Sequence, residues 1–215
     1  MENIITNSIK KQITSNNNTM VNAAGRREQI KAELLAQAEQ LMAGFDTYDT
    51  VEEDASKNYV AKQLTSQDGN NITLIKYRAD GLTEEQLEQW TRDPTAVSAA
   101  MDSKLTRVVL PEDEGHKVFL MKMKMPMVIS NRSIVTCYYE AQKDDGTRII
   151  MNSSRGNEEI QAANADKIGK DVVANITLNY VSMKAYDGGI ELCQINQSDP
   201  NGSIPGFIKS KMAKK

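Results

Sequence analysis

From Leu105 to Asn196 the chain follows β periodicity, broken at short intervals by tight-turn residues. Candidate strands are Leu105 to Leu110, Lys117 to Lys124, Ser133 to Gln142, Thr147 to Ser154, Asn175 to Tyr186 and Ile190 to Asn196. Glu112-Asp113-Glu114-Gly115, Asp144-Asp145-Gly146 and Asp187-Gly188-Gly189 separate three pairs of them. Such short connections join antiparallel neighbours, because a parallel pair needs a crossover of about a dozen residues or more. The polar stretch from Arg155 to Lys170 is the one long interruption and reads as a loop with some helical character. A βαβ repeat and a doubly wound parallel sheet are therefore excluded, and the class is α+β.

The region upstream supplies the helices. Ile30, Leu34, Ala38, Leu41 and Phe45 recur at steps of three and four, which predicts an amphipathic helix from about Asn22 to Phe45. Three short β-prone segments follow, Tyr48 to Glu53, Tyr59 to Thr65 and Ile72 to Tyr77, with Asp68-Gly69-Asn70-Asn71 as the hairpin turn between the last two. Thr83-Glu84-Glu85-Gln86 has the form of a capping box, and Asp93-Pro94 opens a further short helix through Ala100. Pro205 starts a last helix that runs to Lys215. Residues 1–20 are polar and asparagine-rich and are expected to form a disordered tail, leaving 21–215 as one domain.

A net charge of −3 argues against nucleic acid as the main partner, since phosphate binding needs a basic face. The chain carries no apolar run long enough to span a bilayer, and its first residues lack the apolar core of a secretory signal. The only two cysteines, Cys137 and Cys193, form no C-x-x-C pair, which favours a reducing compartment and a cytoplasmic location. His116 is the single histidine and follows an acidic turn, so it reads as an exposed turn residue. Neither a zinc site nor a histidine-based triad is expected, and no cofactor is implied. Eleven methionines against three phenylalanines suit either core filling or a pliable pocket.

Two motifs carry a resemblance. Lys124-Met125-Pro126-Met127-Val128-Ile129-Ser130-Asn131-Arg132-Ser133-Ile134-Val135 resembles the K-x-P-x-P-x-S-N-R-D-x-V segment of the START (StAR-related lipid transfer) family. Ser198-Asp199-Pro200-Asn201-Gly202-Ser203-Ile204-Pro205 resembles that family's D-P-x-G-x-I-P segment. The likeness extends from about Asn22 to Lys209. It implies a helix-grip fold: a curved antiparallel sheet of about nine strands around a C-terminal helix, with an N-terminal helix and two short helices between the third and fourth strands. It also implies one hydrophobic ligand held between sheet and last helix, lipid transfer without chemistry, and a monomer. The sequence departs from the family at Ser133 and Val128, and at Met101, where the family has tryptophan before the aspartate. It departs again at Ser98, where phosphatidylcholine-binding members place an arginine. Only about ten residues follow Pro205, so the last helix is shortened.

Within that frame, alternation along the strand before the first motif puts Met121, Met123 and Met125 on one face and Lys122 and Lys124 on the other. The methionines are expected to line the cavity or else to pack on the last helix. Val135, Cys137 and Tyr139 share a face of the next strand and join the expected lining. Arg132 either bonds loop carbonyls and acids or meets a headgroup, with Asp102 as a possible partner for both roles. Phe207 and Ile208 complete the lining from the last helix. Lys209, Lys211, Lys214 and Lys215 suit either the C-terminal helix dipole or a transient contact with an anionic membrane. The rival reading is a protein-interaction module on the same fold, with its cavity filled or completed by a partner.

Overall fold

The computed structural model describes residues 25–66, 69–83, 85–86, 105–126 and 129–202. Helix α1 covers Arg26–Ala43, and a 3-10 turn at Phe45–Thr47 leads into the first strand. The strands are β1 (Asp49–Asp54), β2 (Tyr59–Thr65), β3 (Asn71–Asp80), β4 (Leu105–Asp113), β5 (His116–Met123), β6 (Arg132–Gln142) and β7 (Arg148–Ser153). Two short helices follow, α2 (Glu158–Ala163) and α3 (Ala165–Ile168), and then β8 (Val172–Val173), β9 (Asn175–Tyr186) and β10 (Gly189–Asp199).

The strands form one ten-stranded sheet in the order β1-β2-β3-β10-β9-β7-β6-β5-β4. Every pairing along that path is antiparallel, as the short turns require for the strands they join, and β3–β10 and β7–β9 pair so without one. At the start of β10 the backbone of β3 lies so close that a Cβ on Gly189 would run into the Ala79 carbonyl oxygen. The tenth strand is β8, which pairs parallel with β6 through Arg132 and Ser133. Two residues long, it carries no period that a sequence reading can detect. The expected loop from Arg155 to Lys170 contains α2 and α3.

The capping box is present. Thr83 N–H donates to Gln86 Oε1 at 2.9 Å, and Gln86 N–H donates to Thr83 Oγ1 at 3.2 Å. The remainder of the two short helices expected there, the C-terminal helix and the N-terminal tail lie outside the described residues.

The principal core lies between α1 and one face of the sheet. Leu34 and Ala38 pack with Leu74, Val118, Leu120, Val135 and Ile195, and Ile160 of α2 and Ile168 of α3 join the same cluster. The start of α1 is held from outside the helix. Gly25 offers no side-chain cap, and Arg27 N–H donates instead to Glu114 Oε2 at 2.8 Å. A Cβ on Gly25 would come within 2.7 Å of that oxygen, so a larger residue there would displace the Glu114 carboxylate. The acidic β4–β5 turn thus satisfies an orphan amide and complements the positive end of the helix dipole.

Candidate functional site

Strand register decides which side chains share a face. Met121 stands opposite Ile134, and Leu120 stands opposite Val135. Cross-strand partners point to the same side, and successive residues point to opposite sides. Met121 and Met123 therefore look away from the face that carries Val135, Cys137 and Tyr139. The expectation of one shared lining is corrected here: the two groups lie on opposite sides of the sheet. Alternation within each strand is visible in the sequence, but the register that relates one strand's faces to the next is not.

The face of Val135, Cys137 and Tyr139 is closed. All three are fully buried in the cluster beneath α1. Burial pushes the Cys137 and Tyr139 pKa values upward. Above them Arg27 is also fully buried. Its Nε donates to Asp113 Oδ2 at 2.6 Å, and its other nitrogens reach the Tyr139 hydroxyl and the Arg155 and Gly156 carbonyls. Burial works to raise the Asp113 carboxyl, but the Arg27 hydrogen bond and charge outweigh it and hold it below the usual carboxylate range. His116 belongs to this cluster rather than to solvent. Its ring lies 5.1 Å from that of Tyr139, its Nε2 lies 3.0 Å from Glu28 Oε1, and its side chain is 14% exposed. The exposed-turn reading fails because α1 folds back over the turn.

The opposite face carries no helix among the described residues; α1, α2 and α3 all pack on the first. Here Met121 and Ile134 pack with Ala174, Ile176 and half-buried Leu105. A second apolar cluster, Met183, Ile190 and Leu192 with Tyr77, Ile150 and Val181, lies toward the other end of the strands. Phe119 and Tyr138 meet edge to face, with centroids 6.3 Å apart at 83°. Between the clusters runs a polar row in direct cross-strand register: Tyr138, Asn152, Asn179, Asn196 and Thr73. Asn179 is half-buried at the middle of this row. The other members are ordinary polar residues until register aligns them.

Arg132 takes the structural role of its two readings. It is 2% exposed, and it donates to the carbonyls of Ser130, Pro200 and Asn201. The guanidinium thereby ties the first motif to the second. Asp199 Oδ1 accepts from Asn201 N–H, and Asn201 Nδ2 donates to the Val173 carbonyl, so the second motif is folded onto β8. Gly202, with φ of +66°, sits where a Cβ would come 3.5 Å from the guanidinium. Ser133 donates to Asp171 Oδ2 at 2.7 Å, so a carboxylate still stands beside the position where the family motif is acidic. Met125 is half-buried against Ile129 in a small cluster of its own. Asp102, Phe207, Ile208 and the four terminal lysines lie outside the described residues.

An open groove of 670 Å³ lies at the far end of α1, lined by Glu39, Met42, Lys76, Arg78, Glu191 and Cys193 among others. Its charges are largely paired with one another, Lys143 with Glu39 at 3.0 Å and Arg78 with Glu191 at 3.2 Å. An apolar ligand would gain little there. No helix among the described residues is long and apolar enough to cross a membrane.

An α+β chain with a single antiparallel sheet, an N-terminal helix on one face and an arginine that clasps the two strand-end motifs has the plan of a helix-grip domain. Solved structures agree. The chain is similar to human STARD10, with 16% identity, a TM-score of 0.63, and 77% of this chain and 66% of that one covered. It is similar to human StAR-related lipid transfer protein 5, with 13% identity, a TM-score of 0.63, and 87% and 90% covered. A STAR-related lipid transfer protein fragment from Xanthomonas axonopodis is similar at 13% identity and a TM-score of 0.56, with 77% and 89% covered. No family model and no curated protein matches the chain. The fold is that of the StAR-related lipid-transfer domain.

Proposed function

We propose that the protein binds one hydrophobic ligand, a lipid, on the sheet face opposite α1, and that it carries this ligand between membranes without chemical change. The carrying observation is the contrast between the two faces. One is filled by α1, α2 and α3, and the other presents separate apolar clusters around Met121 and Leu192 with a polar row between them. Burying an acyl or ring system against such a surface is worth about 0.8 kcal/mol per methylene, and methionine adapts to a flexible guest. Lys209, Lys211, Lys214 and Lys215 supply charge for a passing contact with an anionic membrane. A monomer in the cytoplasm suits this role, and the two free cysteines agree with a reducing compartment.

Native mass spectrometry of the purified protein, followed by solvent extraction, tests the reading. A stoichiometric lipid, present on purification or acquired from mixed liposomes, is the expected result. A folded protein that stays empty through both steps would refute it and favour an interaction module.

A further inference from the structure

The two edges of the sheet are built differently. At one edge β1 carries Asp49, Glu52, Glu53 and Asp54, and its register with β2 shifts between Thr50 and Glu52. Carboxylates and a bulge keep an edge strand from pairing further. At the other edge β4 pairs with β5, and no strand among the described residues lies on its outer side. From Leu105 to Leu110 the pairing is regular, and the single charge is Arg107, which is engaged within the chain. Alternate residues of this stretch turn a backbone N–H and C=O away from β5. Val108 shares a face with Leu120, and Val109 shares the opposite face with Phe119. The two valines are 38% and 64% exposed, so at this point β4 is bare on both faces.

The start of α1 brings a segment of the chain to this edge. Gly25 lies against the Glu114 carboxylate, Arg27 N–H donates to it, and the side chains of Arg26 and Arg27 both donate to Asp113. Residues 1–24 therefore join the fold at the end of β4. Among them Ile4 and Ile5 are adjacent. Successive residues of a strand point to opposite faces, so a strand beside β4 would set one isoleucine on each face, as the edge sets one valine on each. Ile4-Ile5-Thr6-Asn7-Ser8-Ile9 holds no charge and no proline, and Ile4, Ile5, Thr6 and Ile9 are β-branched. The reach suffices. Val108 lies about 20 Å along β4 from the turn, and residues 6–24 extend to at most about 65 Å. Docking within one chain has an effective concentration on the order of millimolar when the linker spans the gap, which a second copy in dilute solution does not match.

We propose that the segment from Ile4 to Ile9 adds to the outer edge of β4 as a further strand, covering Val108 and Val109 and closing the edge that has no protection of its own. Hydrogen exchange followed by mass spectrometry tests this on the full chain, beside the double variant Ile4→Asp with Ile5→Asp. Both proteins are measured at two concentrations tenfold apart, with molar mass from light scattering. The outward amides of residues 105–110 are expected to exchange about tenfold more slowly in the wild type than in the variant, in a monomer and at either concentration. Exchange in β6, β9 and β10 should be the same in both, which establishes that the variant is folded. A free peptide of residues 1–12, added at millimolar concentration, should restore slow exchange to the variant. Fast exchange of those amides in both proteins would overturn the proposal, since the edge would then be open. Equally slow exchange in both would overturn it by showing that another part of the chain covers β4. Protection that grows with concentration, in step with a dimer, would overturn it in favour of a second copy as the occupant.

Discussion

Arg132 donates its Nε hydrogen to the Pro200 carbonyl oxygen at 2.8 Å, a bond that spans 68 positions of the chain. With Ser130 and Asn201 also accepting, three loop carbonyls depend on one buried guanidinium. Truncation strands those acceptors in a buried setting, where each unmade bond costs on the order of 1 kcal/mol or more. Arg132→Ala is expected to lose about 3 kcal/mol in urea unfolding. Arg132→Lys should lose somewhat less, since an ammonium keeps the charge but not the planar fork. Lipid retained per folded molecule should stay constant in both variants. A selective loss of retention at unchanged stability would return Arg132 to the headgroup role.

The Arg27–Asp113 pair sets a pH dependence. Asp113 titrates below its unfolded value of about 3.8. Its contribution is therefore complete above that value and is lost as pH falls through the lower folded value. Acid unfolding followed by circular dichroism should show this limb in the wild type. In Asp113→Asn the limb should be flattened, with stability at pH 7 reduced by about 1–3 kcal/mol for the unpaired buried guanidinium. An unchanged acid limb in the variant would mean that other carboxylates govern it.

The strands were legible because alternation and turn chemistry are local. Asn175 to Tyr186 is read from the residues alone with the bounds that β9 has. Arg132 was visible through its motif, although its partners were not. What the sequence could not carry was register. Met121 and Val135 both looked inward when each strand was read alone, and they turn out to flank the sheet. Asn152 and Asn196 gain meaning only when β7, β9 and β10 align them with Asn179. The burial of Arg27 has no local signal either, because its counter-charge arrives from the β4–β5 turn.

The two faces should respond differently to a buried charge. Val135→Asp places a carboxylate, without a partner, in the closed cluster under α1, and desolvation alone should exceed what a marginally stable domain can absorb. Loss of cooperative melting and of soluble yield is expected. Met123→Glu changes a half-buried residue on the opposite face. It should melt within a few degrees of the wild type yet retain at most a tenth of the lipid. Equal damage to folding from both substitutions would show that the Met123 face is packed as tightly as the other, and the ligand reading would lose its surface.

The cysteines report on α1 without any substitution. Cys137 and Cys193 are both free, on strands separated by β7 and β9. Burial raises both thiol pKa values, so little thiolate exists on either at neutral pH. Access separates them. Cys137 is fully enclosed beneath α1, whereas Cys193 is half-buried and borders the open groove at the far end of that helix. Iodoacetamide at pH 8 should modify Cys193 slowly in the native protein, and Cys137 only after denaturant is added, with peptide mass spectrometry assigning each adduct. Comparable native rates at the two sites would mean that α1 lifts from the sheet in ordinary thermal motion. In that case the closed face would itself be open to a ligand, and the assignment of the two faces would have to be reversed.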